Sequence, residues 1–139
     1  MKAVVFFLFL SLSFSGFAQM DCILGVGGRD NETITKVFEL TEEQQKSLKN
    51  WSAELKIRND IFKGKAEYLM KQNEESSPEV LMEVSKKYQS LIDSMAKNVR
   101  VMDERLLTSF NKTQYERYLK LCRQMTLRPI HINRSVDEN

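Results

Sequence analysis

Residues 78–110 read PEVLMEVSKKYQSLIDSMAKNVRVMDERLLTSF, and their spacing decides the fold. Leu81, Val84, Tyr88, Ile92, Met95, Val99, Met102, Leu106 and Phe110 advance in eight steps over 29 residues, a mean of 3.6, which keeps them on one face of an α-helix. Ser77 stands as a cap, and Pro78 takes the first helical position, where a missing N–H costs nothing. An amphipathic helix of this length is not stable alone in water; its stripe needs a partner.

The partner lies just upstream. Thr41 can cap a helix, with Glu42 and Glu43 in the first turn and Gln44 at the third position, which makes a capping box. Leu48, Trp51, Leu55, Phe62, Ala66 and Leu69 then recur at spacings of 3, 4, 7, 4 and 3. No proline or turn cluster interrupts them before Asn73-Glu74-Glu75-Ser76-Ser77. The spacing predicts a helix from about Glu42 to Gln72, roughly 45 Å at about 1.5 Å per residue. A connection of five residues forces the two helices to pack antiparallel.

Downstream, Asn111 caps a further segment with Gln114 three residues on, repeating the first box. Tyr115, Tyr118, Leu119, Cys122 and Met125 form its inward face, and Pro129 ends it. Lys112, Arg117, Lys120, Arg123, Arg128 and Arg134 stand there against Glu116 alone. The expected fold is all-α: a long antiparallel helical hairpin followed by a short basic C-terminal helix.

The ends read differently. Met1-Lys2, the apolar run Ala3 to Leu12, and small Gly16 and Ala18 before Gln19 have the layout of a secretory signal peptide. The run is too short to span a bilayer, which takes about 20 residues, so no stable membrane insertion is expected. The organisation is then a signal peptide at 1–18, a loosely ordered leader at 19–39, a helical domain at 40–128 and a tail at 129–139. The leader shows no sustained periodicity. Its Gly25-Val26-Gly27-Gly28 run lacks the preceding strand and following Lys-Ser/Thr of a phosphate loop and reads as linker. In an oxidising compartment Cys22 and Cys122 can close one disulfide within the chain or cross-link two chains, and the sequence leaves both open.

Composition excludes more chemistry than it suggests. Among 139 residues there are one His and two Cys, too few for a four-ligand zinc site without carboxylates. His131, alone after Pro129 with no Ser or Cys nearby, lacks the neighbours of nucleophilic catalysis. No Glu-x-x-His pair offers a di-iron site. Glu42/Glu43 and Asp103/Glu104 are explained by helix-start preference and solubility. A net charge of +2 does not argue for nucleic acid. The expectation is a binding protein, not an enzyme, without metal or cofactor. Asn31, Asn111 and Asn133 open formal glycosylation sequons, which matter only in a eukaryotic source.

The surface is more informative. On the first long helix Ile57, Ile61 and Tyr68 fall to one side of the main stripe, with Arg58 and Lys65 between. The apolar arc is then about half the circumference, wider than the ~100° of a two-helix contact. Either the third helix, Tyr115–Met125, covers this second stripe, or it is exposed for self-association or partner binding. Lys49, Lys56 and Lys63 lie on the polar arc beside it. Met95 and Met102 read as core filling, whereas Met70 and Met82 fall off their stripes and read as surface.

Leu40-Thr41-Glu42-Glu43-Gln44 resembles the Leu-Thr-x-x-Gln motif of the Spy/CpxP-like periplasmic chaperones, which carry it twice, at the starts of two helices of an exported α-helical hairpin. The second copy here is degenerate: Phe110-Asn111-Lys112-Thr113-Gln114. The resemblance covers roughly residues 38–125. It implies an ATP-independent holdase in the bacterial periplasm, a cradle-like homodimer holding unfolded or partly folded envelope proteins. A regulatory module docking one envelope-stress sensor or other envelope partner is the alternative within the same family. Leu40, Thr41, Gln44, Phe110, Asn111 and Gln114 match the motifs as helix-capping residues. The client-binding candidates are Ile57, Ile61, Tyr68 and Met70 for apolar contact, with Lys49, Lys56, Arg58 and Lys63 to draw acidic chains.

Overall fold

A computed structural model describes residues 20–133 apart from residue 29; the signal-peptide expectation at 1–18 lies outside the described residues. Four helices follow in order: α1 (Asn31–Phe38), α2 (Glu42–Gln72), α3 (Pro78–Ser109) and α4 (Lys112–Gln124). The described chain is all-helical apart from one parallel bridge between Asp21 and Arg128. Thr41 and Asn111 both make the capping boxes their sequences call for, and Pro78 opens α3.

α2 and α3 form the antiparallel hairpin. Across their seam Gln44 reaches Ser109, Glu54 reaches Arg105 and Asn59 pairs with Asn98, so one number rises as the other falls. The core lies at the open end of the hairpin. There Leu48 and Leu55 of α2 meet Met102, Leu106 and Leu107 of α3, with Phe110, Tyr118 and Cys122 beyond.

Residues 20–39 are not the loosely ordered leader that their lack of periodicity suggested. They hold α1 and insert Cys22, Val26, Ile34 and Phe38 into that core. Three apolar residues, Ile34, Val37 and Phe38, on a single eight-residue helix are too short a run to register as a repeat. The extended strap before α1 buries Cys22 and Val26, with Leu24 partly buried between them, a placement set by the surface it crosses. Gly27 suits that path because its φ of +82° lies in the left-handed region that side-chain-bearing residues rarely adopt, and a Cβ on it would also press on the Leu55 side chain. The tail is likewise built in as far as Ile130, whose side chain is fully buried.

α4 also departs from expectation. It stops at Gln124, because Thr126 takes φ 59° and turns the chain, which leaves Met125 exposed and not on the inward face. Nor does it cover the second stripe of α2. A 13-residue helix reaches about 20 Å, and it starts at the open end of the hairpin and packs against α1 and the strap.

Candidate functional site

Two polar devices hold the open end. In the first, the capping boxes clasp each other. The Gln44 and Gln114 side-chain oxygens accept from the backbone N–H groups of Thr41 (3.0 Å) and Asn111 (2.9 Å). Their amide groups donate to the carbonyls of Ser109 (2.7 Å) and Phe38 (3.0 Å), and the two amides face each other at 2.9 Å. Leu40 and Phe110 are buried beside them, with the Phe38 and Phe110 rings 4.8 Å apart. The six motif residues therefore join two helix starts into one unit. Neither Gln was legible from sequence as more than a cap, because the reciprocal contact spans 70 residues.

The second device is a latch on the strap. The fully buried Asp103 carboxylate accepts backbone N–H bonds from Leu24 (2.7 Å), Gly25 (3.1 Å) and Val26 (2.9 Å). Burial pushes its carboxyl above the ordinary carboxylate range, against the pull of those three donors and of the Arg100 charge. Tyr118 donates its hydroxyl proton to the Cys22 carbonyl and accepts from the Ile130 N–H, both at 2.8 Å; burial raises its pKa as well. Asp21 is paired with Arg128 and Arg100, which hold its carboxyl below the usual range. The Cys22–Cys122 disulfide closes within the chain, with Cα atoms 5.7 Å apart. Sequence alone reads Asp103 as serving solubility; its position four residues after Val99 and three before Leu106, beside the buried stripe of α3, is the available clue.

Beyond this end the hairpin continues as a two-helix arm. Between residues 59 and 98 only Ala66 and Val84 are buried. Both seams of the arm lie open, and their chemistry differs. One side carries Ile57, Ile61 and Tyr68, exposed at 65%, 56% and 65%. Steps of four and seven residues put them on one stripe. Tyr68 belongs to a groove of about 400 Å³ whose other walls are Lys65, Leu69, Lys87, Ser90 and Leu91, with no carboxylate among them. Lys65 Nζ sits 5.6 Å from the Phe62 ring centroid, near enough for cation–π attraction.

The structure divides the sequence candidates. It brings together Ile57, Arg58, Ile61 and Tyr68, with Arg58 bridged to Glu54 at 2.7 Å. Lys49 lies apart, beside α1 next to Asn31 and Glu32. Lys56 pairs with Asp60 at 2.5 Å, and Lys63 and Met70 line a groove on the opposite side of the arm. Lys87 and Leu91 were missed, because the rotation of α3 against α2 is not encoded in either stripe alone. His131 is exposed. No three His, Cys, Asp or Glu side chains converge into a metal-holding group among the described residues, and none of their helices is long and apolar enough to cross a membrane. No family model, curated protein or solved structure matches the chain.

Proposed function

We propose that this protein is an exported holdase of the bacterial periplasm, binding unfolded or partly folded envelope proteins on the arm without ATP and without catalytic chemistry of its own. One observation carries the reading. Ile57, Ile61 and Tyr68 form an uncovered apolar stripe that runs into a groove walled by lysines and free of carboxylates. An exposed apolar stripe is costly to keep unless something binds it. Lys65 and Lys87 attract acidic, flexible chains, while the stripe contributes apolar contact. Each contribution is small and the charge term is screened by salt, so clients are released by dilution or by folding. The two spaced sequence motifs and the hairpin order support the same reading by resemblance to the Spy/CpxP-like chaperones.

Light scattering of several unrelated aggregating clients tests it. The expected result is slower aggregation of all of them at a few-fold molar excess, weaker at high salt, and lost in an Ile57→Ser/Ile61→Ser variant. No suppression by the folded protein overturns the reading. Suppression or capture confined to a single envelope protein points instead to a docking module for that partner.

A further inference from the structure

The side of the arm that carries Ile57, Ile61 and Tyr68 has a second property besides exposure: its free charges have one sign. At about 100° per residue this stripe lies about 140° round α2 from the seam residues Leu55, Phe62, Ala66 and Leu69, so it stands proud of the hairpin. Lys65 borders it on the flank nearer α3, and Lys87 lines the same groove from α3. The carboxylates on this flank are already engaged: Glu54 bridges Arg58 and Arg105, each at 2.7 Å, and Glu83 pairs with Lys86 at 3.0 Å. Lys65 and Lys87 make no ion pair among the described residues.

The shape and chemistry of the ridge identify an occupant. From Ile57 to Tyr68 it is about 16 Å long, and its side chains protrude where a pocket would enclose. Tyr68 has an apolar ring with a polar tip, the build of side chains that sit where water meets hydrocarbon. The lysine stems can lie along apolar surface while their ammonium groups reach a phosphate. A protruding apolar row bordered by unpaired cations fits a broad partner that is anionic at its surface and apolar just beneath.

We propose that this face docks the protein on the surface of an anionic phospholipid membrane, with Ile57, Ile61 and Tyr68 entering the headgroup layer and Lys65 and Lys87 on lipid phosphates. The contact is peripheral, since no described helix is long and apolar enough to cross a bilayer. The inference rests on the proposed export, which places the chain beside the envelope membranes, and it adds a regulator of the holdase stripe: lipid covers the stripe between clients, and a client must displace it. The α4 helix also exposes cations without ion pairs, Lys112, Lys120 and Arg123, but Thr113, Glu116 and Gln124 stand among them with nothing apolar to enter lipid. Charge and apolar burial coincide on the arm and not on α4.

Flotation of the full mature chain with phosphatidylcholine vesicles, with and without phosphatidylglycerol, tests the proposal, with circular dichroism confirming that each variant keeps its helix content. The chain should bind only the vesicles that contain phosphatidylglycerol, and high salt should release it. Lys65→Gln/Lys87→Gln and Ile57→Ser/Ile61→Ser should each lower partitioning at least about tenfold. Lys112→Gln/Lys120→Gln changes the net charge by the same amount as the arm pair and should stay within about threefold of wild type. No binding to the anionic vesicles, equal binding to both kinds, an unaffected arm variant, or a loss from the α4 pair as large as from the arm pair overturns the proposal. Flotation is read without a client, so lipid docking can fail while suppression of aggregation stands, and the reverse.

Discussion

The two ends of the hairpin come from the same pair of helices, with the same capping logic and the same apolar period, yet only one end is a core. At the open end the strap, α1, α4 and the tail add a further layer, so Met102, Leu106 and Leu107 are fully buried. On the arm nothing is added, and inward-facing Leu81 and Tyr88 remain exposed. Period 3.6 specifies which helices pair; burial depends on how many elements then cover the pair. The arm's exposed residues take no part in the core cluster at the other end.

The sharpest way to break that contrast is to release the strap. The disulfide closes a loop across a sequence separation of 100 residues, and the chain-entropy model assigns such a loop up to about 4.7 kcal/mol. Cys22→Ala/Cys122→Ala should lower the unfolding free energy extracted from guanidinium melts by an amount approaching this. A loss under about 1 kcal/mol would mean that the buried contacts of the strap outweigh its covalent tie.

Asp103→Ala comes next. It leaves three strap N–H groups without their acceptor, at about 1–3 kcal/mol for each donor left buried, reduced where water reaches Leu24 or Gly25. The same residue gives a pH signature. Its folded pKa is raised, chiefly by burial, so its contribution is fully present below the unfolded carboxylate pKa and is lost as pH rises through the folded value. Asp21 and Glu54, whose pKa values are lowered, contribute with the opposite sign, but they are common to wild type and variant. The stability gap between wild type and Asp103→Asn should therefore be widest in acid and narrow toward neutral pH, as urea midpoints at a series of pH values would record.

On the arm the expected effect on stability is smallest. Ile57→Ser and Ile61→Ser, both on the exposed stripe, should each stay within about 0.5 kcal/mol of wild type in thermal unfolding. A larger loss would mean that the stripe is covered and that the two ends are more alike than described.

The hairpin was legible because its stripes are long: eight steps on α3 average out local irregularity, and Thr41, Pro78 and Asn111 mark the helix starts. The strap was not, because its burial follows the surface beneath it and not a period of its own. Cys22, Val26 and Ile34 acquire meaning only once Met102 and Tyr118 are in position. Among site residues, the Ile57–Ile61–Tyr68 stripe could be read because it lies on a single helix. Lys87 and Leu91 could not, since two amphipathic helices of known period can still pack at many rotations. Asp103 was misread for a related reason: a carboxylate on a buried stripe looks like an error until backbone donors 77 to 79 residues away reach it.

The pairing of the strap with the tail has a consequence for how the molecule can be rewired. The Cys22 N–H donates to the Arg128 carbonyl, and the Arg128 N–H donates to the Met20 carbonyl, so the strap and the tail run side by side at this point. Because the two segments run parallel, a linker long enough to return from the tail to the start of the strap could join them, and the chain could be reopened in the turn at 73–77 to give a circular permutant in which α2 and α3 no longer follow one another in sequence. In that permutant the base of the hairpin would be continuous chain and the tips of the arm would be the free termini.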